Sequence, residues 1–250
     1  MPEINTKSVN SENFRKQLLK LNPDIMIVAS WGEKFSKETF SIPKIATLNV
    51  HPSLLPKYRG PNPYFWTIKN QEQSSGVTIH LMDENFDTGD IIMQKSVDVQ
   101  YPIRILDAIR HISLLYVEIV SEMMQKLKNG LQIYSVCQND NEASYGLWRD
   151  EDDYAINWNK DATYIQQFIY SVGFPYLGAS SYIEDVKYRV LDCEIEQDVQ
   201  IENRCPGKVL FVRNGCPIVV CGKGLLRITK LETIEGKDFL PLKKYRVRFR

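Results

Sequence analysis

The stretch LNVHPSLLPKYRG, residues 48–60, decides how the chain is read. It closes a β-rich run beginning at Ile45 and presents an amide, Asn49, and an imidazole, His51, two residues apart. Side chains alternate across a strand with a period of two, so Asn49 and His51 face the same side. A proline, a small apolar loop containing Leu54 and a basic tip, Lys57-Tyr58-Arg59-Gly60, follow directly. In open α/β sheets, ligands bind in the crevice beyond the carboxyl ends of the strands. Asparagine supplies a neutral donor for an oxyanion there, and histidine a proton relay near neutral pH. The pair suits acyl transfer.

The flanking pattern supports that placement. Upstream, Ser11 or Asn10 can cap a helix through Leu21 with Phe14, Leu18, Leu19 and Leu21 as its apolar stripe. Residues 25–30, IMIVAS, form a continuous apolar run, as expected of a strand covered on both faces. A short helix is predicted near residues 36–40. Downstream, Pro61 or Pro63 suits the first turn of a helix running to Asn70. Residues 76–82, GVTIHLM, and 90–97, DIIMQKSV, read as strands on either side of the turn Asp87-Thr-Gly-Asp90. Apolar residues at helical spacing from Ile105 to Leu127 predict the longest helix, ended by Gly130. This alternation predicts an α/β core with a mostly parallel sheet over residues 1–135. Residues 136–250 read differently: one helix over 159–172, then short β-like runs at 188–190, 209–212, 218–220 and 225–231. They predict a small, β-rich, barrel-like C-terminal domain.

Composition sets wide bounds. The 250 residues are 43% hydrophobic and 25% charged, typical of a globular protein with a real core. No apolar run approaches the ~20 residues of a membrane span, and residues 1–13 contain no signal-peptide core. No membrane association is expected, and the cytoplasm is the expected location. Five cysteines without a C-x-x-C pair read as free thiols in a reducing compartment. Formal charge is zero, but residues 201–250 hold twelve Lys and Arg against four Asp and Glu. Such an excess marks either a solvated face or a phosphate-binding surface.

A third group should assist the imidazole. Asp87 sits in a tight turn between two strands, where a carboxylate can be aimed at His51. His80 and His111 do not read as metal ligands.

At this point a resemblance becomes specific. Residues 48–60, 75–78 (SGVT) and 82–92 (MDENFDTGDII) resemble the signature of folate-dependent formyltransferases. The resemblance implies a Rossmann-like core, N10-formyltetrahydrofolate as formyl donor, an amine as acceptor and no metal. It makes Asn49, His51 and Asp87 the catalytic group and places Leu54, Met82, Asp83 and Phe86 around the pterin. Residues 147–158 (LWRDEDDYAINW), 173–179 (GFPYLGA) and 239–242 (FLPL) are similar to the sugar-nucleotide N-formyltransferases of that family. The acceptor they imply is an amino-dideoxy sugar, dTDP-linked or similar, for O-antigen and lipopolysaccharide. Trp31, Lys57, Tyr58, Arg59, Trp148, Arg149 and Tyr154 are the candidate substrate contacts, with Lys57 and Arg59 aimed at a pyrophosphate. Methionyl-tRNA formyltransferases share the core and the β-rich C-terminal domain, although nucleic acid is not the expected partner. A non-catalytic folate- or nucleotide-binding remnant is a third reading. The family usually opens with a βαβ unit that this sequence lacks, so the edge near residues 25–30 is expected to need a cover, such as the second subunit of a homodimer.

Overall fold

The computed structural model describes residues 3–130 and 132–250; Met1, Pro2 and Leu131, part of the expected first domain, lie outside the described residues. The chain forms two compact units. The first comprises residues 1–67, 72–98 and 110–148, the second residues 68–71, 99–109 and 149–250. Residues 136–148, which the sequence assigns to the second domain, therefore pack within the first unit.

In the first unit, α1 (Glu12–Leu21) starts as expected, with Ser11 accepting from the Phe14 amide at 3.2 Å, and ends at Asn22 in the left-handed region. Only Leu18 of its stripe is buried; Leu19 and Leu21 are exposed. Strand β1 (Ile25–Ala29) leads to the short helix α2 (Lys37–Phe40) and then to β2 (Ala46–His51). Val9, Val28 and Phe35 form a buried cluster here, with Phe14, Met26, Phe40 and Met82 packed against it. Helix α3 (Pro63–Lys69), β3 (Ser74–Leu81), β4 (Ile91–Asp98) and α4 (Ile105–Lys128) follow, residues 68–69 of α3 and 105–109 of α4 counting with the second unit. Helix α4 buries Ile105, Ile112, Ile119 and Met123 at the predicted spacing.

The sheet order is β1-β2-β3-β4. Only β1 and β2 run parallel; β2 with β3 and β3 with β4 are antiparallel, so the expected mostly parallel sheet is corrected to a mixed one. The short turn joining β3 to β4 has no room for the crossover that parallel pairing needs. Near-continuous apolar strands did not distinguish the two arrangements. Leu48, Val50, Val77 and Ile79 are buried on β2 and β3. A side chain at Gly76 would strike Leu54, which lies across it.

In the second unit, α5 (Ala162–Ser171) buries Ile165, Phe168 and Ile169. It precedes five antiparallel strands: β5 (Ala179–Ile183), β6 (Val186–Glu196), β7 (Val209–Arg213), β8 (Cys216–Val220) and β9 (Leu225–Thr233). Their order is β5-β6-β9-β8-β7. The β-rich domain is as expected, and among the described residues its sheet does not close into a barrel. The chain end spans its edges: Phe249 bridges Ile183, next to which Tyr182 and Arg250 exchange both backbone bonds, and Arg248 bridges Lys208. Trp158 is core, donating to Ser181 Oγ at 3.0 Å and packing on Phe249.

Candidate active site

Strand β2 presents the site at its carboxyl end. Cross-strand register places Asn49 opposite His80 and His51 opposite Thr78. The turn between β3 and β4 brings in Asp87, whose φ of 56° is left-handed. Gly89 allows this turn to close, because a β-carbon there would overlap the Leu81 carbonyl oxygen.

Four polar side chains meet. Asn49 Nδ2 lies 3.0 Å from Asp87 Oδ1 and 3.1 Å from His80 Nε2. Asp87 Oδ2 accepts from the Gly60 amide at 2.8 Å and lies 3.5 Å from His51 Nδ1. His51 Nε2 lies 2.8 Å from the Tyr58 carbonyl, and His80 Nδ1 2.8 Å from the Leu81 carbonyl. A carbonyl oxygen can only accept, so His51 carries a proton on Nε2 and His80 one on Nδ1. His80 Nε2 faces both Asn49 Nδ2 and, at 3.4 Å, Asp87 Oδ1.

The electrostatics follow from burial. His51 is 4% exposed, and desolvation lowers its pKa below 6.5 despite the attraction of Asp87 and the Tyr58 carbonyl. Burial opposes charge on Asp87, yet its hydrogen bonds and the neighbouring imidazoles hold its carboxyl at about 2. Burial thus favours the neutral imidazole of His51, while the contacts from His80, His51 and the Gly60 amide favour the ionised carboxylate of Asp87. Both His51 nitrogens face acceptors, so a proton arriving on Nδ1 finds Asp87 waiting. This is a base with its conjugate acid already solvated by the protein.

The remaining candidates are distributed unevenly. Asp83 is used within its loop, accepting from the Asn85 amide and the Thr88 hydroxyl. Met82 packs into the cluster under β1, while Phe86 is 58% exposed with Lys34 Nζ 5.5 Å from its ring centre. Trp31 is half exposed just after β1, and Lys57 lies at the surface. Tyr58 gives its hydroxyl to Glu72 and its carbonyl to His51. Arg59 departs from expectation: it is 2% exposed, and its guanidinium is taken up by Gln138, Asp140 and Tyr145. It braces the site rather than offering a charge to a pyrophosphate. Trp148 is exposed at the end of the first unit. In the second unit, Arg149 stacks on Tyr176, and buried Tyr154 lies under Arg189. His80 and Gln138 were missed. A reading of β2 and β3 as an antiparallel pair would have pointed to His80; no local signal marks Gln138. Among the described residues, no cluster of metal-ligating side chains occurs, and no helix is long and apolar enough to cross a membrane.

A carboxamide, a neutral imidazole and an ionised carboxylate converge at a strand end, the groups that acyl transfer calls for. Comparison with known proteins gives the family. Residues 2–103 match the formyl transferase family and residues 149–245 the formyl transferase C-terminal domain. The chain is 31% identical over 245 residues to the methionyl-tRNA formyltransferase of Thermodesulfovibrio yellowstonii, covering 98% of this chain and 77% of that protein. It is 31% identical over 236 residues to that of Caldanaerobacter subterraneus, covering 94% and 74%. Among solved structures, HypX from Aquifex aeolicus with tetrahydrofolic acid superposes with a TM-score of 0.67 at 23% identity, over 88% of this chain and 37% of that one. The sugar 3N-formyl transferase WlaRD, crystallised with dTDP and 5-N-formyl-THF, gives 0.63 at 20% identity, over 91% and 77%. At these identities the structural likeness speaks for the fold. The chain belongs to the formyl transferase family and is an N-formyltransferase.

Proposed function

We propose that the protein transfers the formyl group of N10-formyltetrahydrofolate to the amino group of a nucleotide-linked amino-dideoxy sugar, dTDP-linked or similar, in the cytoplasm. The O-antigen of lipopolysaccharide is the product class this serves. The observation that carries the transfer chemistry is the meeting of Asn49, neutral His51 and ionised Asp87 within hydrogen-bonding or ion-pair distance. The donor supplies an activated formyl carbon and a leaving nitrogen. Exposed Phe86, one residue before Asp87, offers a flat surface to a pterin.

The incoming amine bonds to the formyl carbon, and the bond to the folate nitrogen breaks. Asn49 donates an N–H to the oxyanion formed between these events; losing such a donor costs about 3 kcal/mol. In the free protein its amide nitrogen faces the Asp87 carboxylate and His80; the bond to the carboxylate is charge-assisted, so the contact with His80 is the one to yield. His51 takes the amine proton and returns it to the departing nitrogen. Asp87 holds the imidazole and stabilises its cationic form.

Charge favours a small acceptor. Residues 149–250 hold sixteen Lys and Arg against fifteen Asp and Glu, so the basic tail is matched by acids earlier in the same unit. Arg204, Arg213 and Arg227 are paired with Asp198, Glu196 and Glu194. The second reading, methionyl-tRNA as acceptor, is favoured by the names of the relatives at 31% identity.

The test is conversion of N10-formyltetrahydrofolate to tetrahydrofolate with a panel of amino-dideoxy dTDP-sugars, and separately with charged initiator tRNA. Turnover with one sugar, abolished by Asn49→Ala, is expected. Turnover with tRNA alone would replace the sugar reading with the second one. No turnover with either would leave a remnant.

A further inference from the structure

Beyond the triad, the segment at residues 136–148 is tied to both loops of the site. The Val136 and Ile91 backbones exchange two bonds of 2.8 Å. The Tyr58 amide donates to Ser144 Oγ at 2.9 Å, the Arg59 amide to the Ser144 carbonyl at 2.8 Å, and the Gly146 amide to the Arg59 carbonyl at 2.7 Å. Between these attachments lies Gln138. Its Nε2 donates to the carbonyls of Asp87 at 2.9 Å and Gly89 at 2.7 Å. Its Oε1 accepts from Arg59 Nε at 3.1 Å and Nη2 at 2.9 Å.

Every hydrogen-bonding position of the Gln138 carboxamide is thus occupied, two donating and two accepting, a pattern that a primary amide can supply and a carboxylate cannot. The contacts close a ring. Arg59 holds Gln138, Gln138 holds the Asp87 backbone, the Asp87 carboxylate accepts from the Gly60 amide, and Gly60 follows Arg59 in the chain. Asp87 sits in a left-handed conformation that costs a non-glycine residue free energy, so something outside the turn must hold it there. Arg59, buried and always charged, is a fixed anchor for that purpose.

We infer that Gln138 is a positioning residue for formyl transfer: it carries the rigidity of Arg59 to the Asp87 turn and sets the carboxylate against His51 and Asn49. The inference rests on the transfer chemistry proposed above, not on the identity of the acceptor.

The experiment compares wild type with Gln138→Glu and Gln138→Met in the full chain. Glutamate keeps the acceptor for Arg59 and gains a charge toward it, but cannot donate to the Asp87 and Gly89 carbonyls. Methionine keeps the length and removes both functions. Thermal unfolding shows that each variant is folded. The expected result is a kcat lower by about tenfold to a hundredfold in both variants, with KM for donor and acceptor within about twofold. In parallel, hydrogen exchange at the Gly60 amide, whose partner is the Asp87 carboxylate, should quicken by about tenfold. If Gln138 merely ties the segment to Arg59, Gln138→Glu retains both kcat and Gly60 protection, which overturns the inference. A folded glutamate variant with unchanged Gly60 exchange overturns it whatever kcat does. Absence of turnover in wild type would instead sink the proposed function, and Gly60 exchange would then decide this inference by itself.

Discussion

At the level of single residues, the proposed chemistry rests on His51 being neutral and Asp87 being charged, which fixes the sign of a pH effect. The acid limb of kcat/KM follows protonation of His51, whose pKa burial lowers and Asp87 partly restores. In Asp87→Asn that restoring attraction is gone, so the limb should move to lower pH while kcat falls by about a hundredfold or more. Disappearance of the limb in that variant would show that Asp87, not His51, is the group being protonated. The stability effect has its own sign. Asp87 is depressed from 3.8 to about 2, so its contribution is complete above the unfolded value and is lost as pH falls through the folded one. Asn49 and His51 were legible in the sequence because the pleat forces residues two apart onto one face, and Asp87 because a turn between strands aims its side chain. His80 reaches Asn49 through strand register, which one sequence does not display. Arg59 looked like a loop-tip cation because the partners that bury it, Gln138 and Asp140, come some eighty residues later.

Among elements, periodicity made the helices and most strands legible, while pairing was not. Residues 76–82 and 90–97 were read as strands and emerge as β3 and β4 with ends shifted by one or two residues. Their antiparallel run follows from the length of the turn between them. The five strands of the second unit show what the sequence withholds: β5 was not predicted, and residues 247–250 gave no sign of bridging the sheet edges. Phe249 is 1% exposed, packs on Trp158 and bridges Ile183 while its amide donates to the Gly207 carbonyl. Phe249→Ala should therefore cost about 3–5 kcal/mol, read as a lower denaturant midpoint for the second unit. A loss under about 1 kcal/mol would mean that the chain end is a loose appendage.

For the whole molecule, salt dependence is the measurement that separates the two acceptors. Formal charge is zero over 250 residues, and the basic tail is nearly cancelled within its own unit. Contact with an RNA would release counterions, and six to ten phosphate contacts lose about 10³–10⁵ in affinity between 50 and 200 mM salt. A nucleotide-linked sugar presents only its pyrophosphate, so one or two such contacts form. With a sugar acceptor, kcat/KM should fall by no more than about tenfold over the same salt range. A fall of about a thousandfold, measured with either acceptor, would demand an extended cationic surface. Arg204, Arg213 and Arg227 are each committed to a carboxylate that RNA would have to displace, so such a surface would have to come from the exposed Lys243, Lys244, Arg246 and Arg248 at the chain end.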